Sequence, residues 1–283
     1  MSATQTPIYA APFDAVAQLY DDSFTLSQVG RAQRAAVWRV LEKTFQSGNG
    51  ILEIGCGTGV DACFLAERGV RVLACDSSSQ MIEIAARRVL EKKLQRLVQP
   101  LALAAEELSS LPGEATFDGA FSNFGPLNCI NNIQRFARDL GVRVKPGGIA
   151  LLCWIGPFCL WETVWYLALG NRRKAFRRLN RDGVSARIGD GAFVQVHYPT
   201  VRQIATIFAP EFRLKSIRGI GVAIPPSYVE KWVERHPRTF HLFQKADTLL
   251  GRCPGLRLLA DHVLVSLQRE DLNAGIKPGA GKP

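Results

Sequence analysis

The feature that most limits the folds open to this chain is a regular alternation of short apolar segments with helical segments between residues 50 and 155. Apolar segments of strand length predict β-strands, and apolar residues at helical spacing between them predict helices. The predicted strands are residues 50–55, 70–76, 97–103, 117–123 and 149–155, the predicted helices are residues 59–69, 77–93 and 131–144, and a turn is predicted at residues 145–148. Because short turns join these segments, the strands should run parallel, with helices on both faces of one sheet.

The second half of the chain interrupts this alternation and then resumes it. Residues 156–200 have the pattern of two helices followed by a strand at residues 192–198, and we interpret them as an inserted helical cap. Strands at residues 212–222 and 262–268 complete the sheet, so the predicted fold class is α/β, with a doubly wound, mostly parallel seven-stranded sheet. The predicted parts are an N-terminal helical lid at 1–49, a main domain at 50–155 and 201–269, the cap at 156–200 and a disordered tail at 270–283.

The stretch "LEIGCGTG" at residues 52–59 directly follows the first predicted strand. Gly55, Gly57 and Gly59 leave its backbone almost bare, which suits the close approach of a nucleotide-like ligand at the end of a strand. Val60 stands where a dinucleotide-binding fingerprint requires its third glycine, and no Gly-Lys-Ser or Gly-Lys-Thr completes a P-loop. The acid at Glu53 favours a ligand with a cationic end over a pyrophosphate.

These residues resemble the first motif of the class I S-adenosylmethionine-dependent methyltransferases, in particular the bacterial small-molecule enzymes, and the resemblance extends over residues 9–155. It implies a Rossmann-like methyltransferase fold, with S-adenosylmethionine as cofactor and S-adenosylhomocysteine as product. It also implies that Glu53 organises contacts near the amino group of the cofactor, and that Asp76 holds both ribose hydroxyls. The cofactor-binding residues that the resemblance implies are Tyr20, Glu53, Gly55, Gly57, Gly59, Asp76, Ser77, Met81, Ala105, Glu106, Asn123 and Phe124.

The resemblance has one departure, after the third predicted strand. The family often has Asp-Ala where this chain has Ala104 and Ala105, so the usual carboxylate toward the adenine amino group is missing. Glu106 or a main-chain carbonyl would have to take its place.

The catalytic residues stay open at this point, because an electrophilic methyl group requires a base only when the acceptor holds a proton of high pKa. For the lining of the acceptor pocket we consider Asn128, His197 and Tyr198. His262 begins an apolar strand, and we expect it to be structural. None of the seven cysteines forms a CxxC pair or has a histidine at metal-ligand spacing, so we expect neither a metal nor a disulfide.

The net charge of +10 is concentrated in part in the cap, where residues 172–181 contain six basic side chains and no acid. On a continuous helix, several of these would form like-charge pairs one turn apart, which an anion would relieve. The preceding segment is apolar and rich in tryptophan, a combination typical of helices that meet anionic lipid. We therefore expect a cap whose apolar side covers the acceptor and whose basic side faces solvent or an anionic membrane, with peripheral membrane contact through residues 172–181. We do not expect a membrane span, since Gly156 and Pro157 interrupt the apolar run.

Together these patterns predict S-adenosylmethionine-dependent methyl transfer to a small, lipophilic or aromatic acceptor, at oxygen, nitrogen or carbon. Two alternatives stay open: an RNA methyltransferase, which only the charge favours, and a non-catalytic relative that binds the cofactor. We expect a small-molecule partner and no nucleic acid. The first ten residues lack a basic region followed by an apolar core, so we expect no secretory signal and a cytoplasmic location.

Overall fold

The structure is a computed structural model that describes residues 11–112, 117–189 and 191–271. The strands are β1 Gly50–Ile54, β2 Arg71–Asp76, β3 Val98–Ala102, β4 Phe117–Ser122, β5 Val144–Ile155, β6 Val184–Ile188, β7 Ala192–Val196, β8 Phe212–Ile220 and β9 His262–Arg269. The helices are α1 Ala17–Tyr20, α2 Gln28–Thr44, α3 Val60–Ala66, α4 Ser79–Glu91, α5 Ile133–Arg143, α6 Leu160–Ala168, α7 Arg172–Ala175, α8 Val201–Phe208, α9 Glu230–Arg235 and α10 Pro237–Leu250.

A seven-stranded sheet in the order β3-β2-β1-β4-β5-β9-β8 forms the centre of the molecule, as predicted. Strands β1 to β5 pair in parallel, whereas β9 runs antiparallel to both of its neighbours, β5 and β8. The strand order reverses between β1 and β4, and ligands of such sheets bind beyond the carboxyl ends of the strands at this point. The glycine stretch lies there, directly after β1.

Both faces of the sheet are covered, which makes the fold doubly wound. One face packs against α2, α3 and α4 through a core that includes Val37, Leu65 and Val89. The other packs against α5 and α8 through a core that includes Phe136 and Phe208. Burial of these apolar faces is the main driving force for folding.

Two local features of the sheet differ from simple expectation. Pro100 is tolerated in β3 because β3 is an edge strand, where a missing main-chain donor need not break a ladder of hydrogen bonds. The predicted turn at residues 145–148 is wrong, because these residues belong to β5. The pairing of β5 with β4 instead shifts register there, from Phe117 opposite Val144 to Gly119 opposite Ile149.

The residues between 156 and 200 lie outside the seven-stranded sheet, and they contain α6, α7 and the hairpin β6-β7. Strand β6 was not predicted, and the second predicted helix of the cap is longer than α7. Helix α7 ends at Ala175, and a short 3-10 turn, Arg177–Leu179, follows it. The predicted like-charge repulsion therefore does not arise on a continuous helix. The boundaries of the cap and of the N-terminal lid remain proposals.

Most of the predicted disordered tail lies outside the described residues, which end at 271. Within the described part of the chain, no helix is long and apolar enough to span a bilayer.

Asn128 joins three segments of the chain rather than facing a pocket, so its assignment as a pocket residue is corrected. Its side chain is fully buried. Its amide nitrogen donates to the carbonyls of Ile155 (3.0 Å) and His197 (2.6 Å), and its amide oxygen accepts from the main-chain N–H of Ile155 (2.9 Å). The side chain thereby links the end of β5 to the segment that follows β7.

We predict that Asn128→Ala lowers the free energy of unfolding by about 3 kcal/mol, because it removes three hydrogen bonds that a buried side chain makes with the main chain of two other segments. Urea unfolding followed by circular dichroism would measure the change. The exposed neighbour Asn131 provides the control, since Asn131→Ala should alter stability by no more than about 0.5 kcal/mol. Equal effects of the two substitutions would contradict this role of Asn128.

Candidate functional site

The glycine bend after β1 offers one open position, at Gly57. All three glycines have positive φ, between 53° and 76°, which side chains rarely tolerate. A Cβ atom built on Gly55 would lie 2.3 Å from Cγ of Pro126, and one on Gly59 would lie 2.9 Å from Cβ of Ala85. A Cβ on Gly57 would meet no atom of the described residues within 4 Å. The expectation of a uniformly bare loop is therefore refined: Gly55 and Gly59 allow close packing within the protein, and Gly57 faces open space.

Glu53, the penultimate residue of β1, holds a carboxylate that the protein does not satisfy. Its side chain is 1% exposed, and its Oε2 has no hydrogen-bond partner among the described residues. Burial, and next the negative charge of Asp61, raise the pKa of Glu53 well above its usual value, while Arg34 opposes the shift. A cationic ligand would stabilise the ionised form of this group.

Asp76 closes β2 on the other side of the bend. Its carboxylate accepts hydrogen bonds from the main-chain N–H groups of Gly57 (2.8 Å) and Ser78 (2.9 Å). Burial raises the pKa of Asp76, and these two hydrogen bonds oppose the increase. Each carboxylate oxygen can accept more than one hydrogen bond, so capacity for a ligand diol remains.

The other predicted residues near Asp76 have mixed positions. Ser77 is exposed, whereas Ser78 is buried and caps α4 by accepting from the N–H of Met81 (3.1 Å). Met81 itself is 2% exposed. Ala105 lies in a 3-10 turn, and Oε1 of Glu106 is 3.4 Å from the main-chain N–H of Asn131.

The N-terminal segment is fastened onto this region by two carboxylates. Asp21 accepts from the hydroxyl of Thr58 (2.8 Å) and from Arg88 (2.5 Å), and Asp14 accepts from the hydroxyl of Ser78 (2.5 Å). Although burial would raise the pKa of Asp21, its hydrogen bonds with Thr58 and Arg88 lower it.

This fastening places Tyr20 beside the charged residues of the site. Burial raises the pKa of Tyr20 to about 12, and the charges of Arg34, Asp61 and Asp76 are close enough to contribute. The predicted covering residue is thus brought to the site.

Asp61, which the sequence analysis missed, connects the site to α2 and β4. This buried carboxylate in the first turn of α3 accepts from Arg34 (2.6 Å), the indole N–H of Trp38 (2.6 Å) and the side-chain amide of Asn123 (3.0 Å). The Oδ1 of Asn123 is buried and has no partner among the described residues. Acids are common in the first turn of a helix, so Asp61 does not stand out in the sequence. Its three partners are also distant along the chain, so no local pattern indicates the contacts.

An aromatic cluster follows the end of β4. The ring of Phe124, a non-glycine residue at φ +54°, meets Phe24 at 4.9 Å and His262 at 5.4 Å between centroids. The guanidinium of Arg34 lies 5.0 Å from the centroid of the Phe124 ring. Strained backbone of this kind persists where the surroundings enforce it, often at functional sites.

His262 is buried within this cluster, next to an ionised acid. Burial lowers the pKa of His262, so the ring is neutral near pH 7. Its Nδ1 lies 3.4 Å from Oδ2 of Asp261. Burial raises the pKa of Asp261, but the positive charge of His262 in its protonated form and that of Arg178, in contact at 2.7 Å, lower it to about 2. We expected His262 to be structural, and its pairing with Asp261 was not predicted.

The two remaining pocket candidates, His197 and Tyr198, line a different space. They border a cleft of about 610 Å³ between the cap, α8 and the segment after β4. Arg178 separates this cleft from Asp261, since its guanidinium lies 5.9 Å from the centroid of the Tyr198 ring and also contacts Asp261. The structure therefore does not place His197 and Tyr198 with Phe124 and His262.

Within residues 11–112, 117–189 and 191–271, no group of three or more histidine, cysteine or acidic residues is placed to bind a metal ion. The seven cysteines are free thiols.

We predict that Glu53→Gln stabilises the ligand-free protein by roughly 1–2 kcal/mol near neutral pH, because it removes a buried group whose ionisation is disfavoured. The folded state binds the Glu53 proton more tightly than the unfolded state does. The stability contribution of Glu53 is therefore lost as pH rises, and the gain from Glu53→Gln should grow between about pH 5 and pH 8. Urea unfolding at both pH values would measure it. The exposed Glu83 supplies the control, Glu83→Gln, and a pH-independent or negative effect at Glu53 would contradict the assignment.

Comparison with known proteins agrees with this geometry. Residues 51–148 match the family described as "Methyltransferase domain". The chain is 32% identical over 149 residues to the demethylmenaquinone methyltransferase of Clavibacter sepedonicus, covering 51% of this chain and 56% of that enzyme. The chain thus spans about half the length of the curated relatives it matches.

Solved structures extend the likeness to the whole fold. The 4+2 cyclase SpnF superposes with a TM-score of 0.61 at 17% identity, over 91% of this chain and 94% of the other. Phosphoethanolamine N-methyltransferase 2 of Haemonchus contortus, solved with S-adenosylhomocysteine, superposes with a TM-score of 0.58 at 20% identity, over 91% and 58%. Residues 51–148 of this chain therefore match a methyltransferase domain, and the chain shares its fold with S-adenosylmethionine-dependent methyltransferases.

Proposed function

We propose that this protein transfers a methyl group from S-adenosylmethionine to a small, lipophilic or aromatic acceptor. The observation that carries the proposal is the unpartnered, buried carboxylate oxygen of Glu53 beside the open position at Gly57. S-adenosylmethionine brings a sulfonium and an ammonium, and these positive charges complement a buried acid. When bound, the cofactor supplies an electrophilic methyl group.

The residues around the bend have distinct roles in this proposal. Asp76 accepts from the ribose hydroxyls, and Glu53 and the free amide oxygen of Asn123 receive the cationic methionine end. Tyr20, held by the contacts of Asp14 and Asp21, covers the site and excludes water. The remaining cofactor-contact residues stay as the resemblance implies them: Gly55, Gly57, Gly59, Ser77, Met81, Ala105, Glu106 and Phe124.

The acceptor lies, in this proposal, against the aromatic cluster of Phe24, Phe124 and His262. These rings provide an apolar and aromatic surface at the end of β4, where the methyl group would be presented. The relatives named demethylmenaquinone methyltransferases support a lipophilic aromatic acceptor as a class.

His262 is the candidate proton acceptor. It is neutral before the reaction, and the carboxylate of Asp261 would stabilise the imidazolium that forms when it takes the acceptor proton. Bound S-adenosylmethionine would supply the methyl group, and His262 would receive the proton that the acceptor loses. Such a base is needed for a hydroxyl or amine acceptor of high pKa.

Two alternatives are weaker. An RNA substrate is favoured by the net charge alone, and part of the basic cluster pairs internally, since Arg177 and Arg178 contact Glu162. A role without methyl transfer is favoured by one finding: SpnF, which shares the fold, is described as a cyclase, so the fold alone does not fix the reaction.

A small-molecule acceptor and a cytoplasmic location also stay proposals. The predicted membrane contact through residues 172–181 stays a proposal in revised form. It keeps Arg172, Arg173 and Lys174, whose side chains are exposed, and it no longer relies on Arg178, which is buried.

We predict that Asp76→Asn weakens S-adenosylmethionine binding at least about tenfold, a loss of about 1.4 kcal/mol, because it removes the negative charge and an acceptor for the ribose diol. Isothermal calorimetry would measure Kd. Glu91→Gln, at the exposed end of α4, is the control and should leave Kd unchanged. Transfer of labelled methyl groups into a metabolite extract, and not into total RNA, would support the proposed acceptor class. Absence of cofactor binding by the wild type would refute the function.

We further predict that His262→Gln lowers kcat at least about 100-fold while leaving the Kd of S-adenosylmethionine unchanged, since a general base contributes about that much. The acceptor in this assay is the fraction of the metabolite extract that the wild-type protein labels with methyl groups. Because the pKa of His262 is lowered, the wild-type rate should be level around neutral pH and fall only in acid. The exposed His241 offers the matched control, His241→Gln. A preserved rate in His262→Gln would remove His262 from the mechanism.

A further inference from the structure

The solvent-facing side of helix α6 is apolar, whereas this side of a surface helix normally carries polar residues. Its inner side is anchored: Glu162 is buried and paired with Arg178 (2.6 Å), and the indole N–H of Trp161 donates to the carbonyl of Ala223 (3.0 Å). Its outer side consists of apolar residues. We call this surface, together with two aromatic residues beside it, the α6 face. Its members, each between 38% and 63% exposed, are Leu160, Val164, Trp165, Leu167, Leu169, Tyr228 and Trp232.

Aromatic rings connect α6 to the residues before α10 and to Phe243 within α10. The rings of Trp165 and Tyr228 are 6.2 Å apart, and both Trp161 and Trp232 contact Phe243, at 5.8 Å and 6.0 Å. Isolated exposed leucines are common on proteins, but a contiguous patch of this composition marks a binding surface.

Basic side chains border the face. Arg172, Arg173 and Lys174 follow α6 directly and are exposed, and Lys174 lies 5.5 Å from the centroid of the Tyr166 ring at the edge of the face. On the other side, Lys231 and Arg235 of α9 are exposed, against a single exposed acid on that helix, Glu234. The acid of α6 itself, Glu162, is buried and already paired.

We propose that the α6 face docks on the surface of an anionic phospholipid bilayer. Tryptophan and tyrosine favour the boundary between headgroups and acyl chains, and aliphatic side chains enter the acyl region beside them. Arginine and lysine at the border pair with anionic headgroups. A second copy of this chain fits less well, since a symmetric contact would bring the two basic borders together. Nucleic acid would offer no apolar surface for the aliphatic side chains of the face to pack against.

Docking through this face goes beyond the proposed methyl transfer and does not depend on it. It would bring a lipophilic acceptor within reach, because the same cap contacts the site through Arg178 and Asp261 (2.7 Å).

Co-sedimentation with phosphatidylcholine vesicles, with and without about one third phosphatidylglycerol, tests the proposal. We expect the full chain to bind the anionic vesicles at least about tenfold more tightly than the neutral ones, and to release them at high salt. Two variants separate the apolar and charged contributions: Trp165→Ser with Leu169→Ser, and Arg172→Glu with Arg173→Glu. Each pair should weaken binding at least about tenfold.

Leu90→Ser is the matched control, since Leu90 is 62% exposed and belongs to α4, outside the cap. Calorimetry with S-adenosylmethionine on each variant reports folding and tests the proposed function separately. Equal recovery with neutral and anionic vesicles, recovery with neither, an equal loss in Leu90→Ser, or a dimer that the apolar variants dissociate without vesicle binding would each overturn the proposal.

Discussion

An imbalance of buried charge at the carboxyl ends of β1 and β2 is the constraint on which the rest of the site depends. Glu53, Asp61 and Asp76 converge there, and Arg34, a cation nearby, pairs with Asp61 at 2.6 Å. Asp76 is satisfied by main-chain donors, so the deficit falls on Glu53. A buried acid without a partner is costly, and proteins keep such a group where a ligand compensates it. The deficit selects a ligand with positive charge, and the open position at Gly57 admits it.

The cap is connected to this site by a second set of buried charges. Arg178 bridges Glu162 of α6 and Asp261 before β9, and Asp261 lies beside His262 in the aromatic cluster. Buried ion pairs of this kind add little net stability, but they penalise other arrangements of the same segments. The position of α6, and with it the exposed α6 face, is therefore tied to the geometry around His262.

Much of the fold could be predicted from the sequence because its signals are local. The apolar strands, the glycines after β1 and the acid at Asp76 each reflect the conformation or burial of their own segment. The register shift in β5 and the strand β6 were missed, since "KPGG" is a strong turn signal and "VSARI" is short and half polar.

The site was less predictable where its partners are distant along the chain. The role of Asp61 depends on its hydrogen bonds with Arg34, Trp38 and Asn123, and the spacing of these residues in the sequence does not predict that they meet. Arg178 was expected on an exposed basic helix, but it is buried and donates a hydrogen bond to Asp261, 83 residues away in the sequence. Asn128 was expected to line a pocket because it follows β4, yet main-chain groups of two other segments occupy its amide.

We expect a cationic cofactor to force the buried Glu53 to ionise. Calorimetric titration with S-adenosylmethionine, in two buffers of different ionisation enthalpy at mildly acidic to neutral pH, measures this most directly. The wild type should release up to about one proton per cofactor bound, and Glu53→Gln should release none. Tight binding without proton release by the wild type, or equal release by the variant, would contradict this expectation.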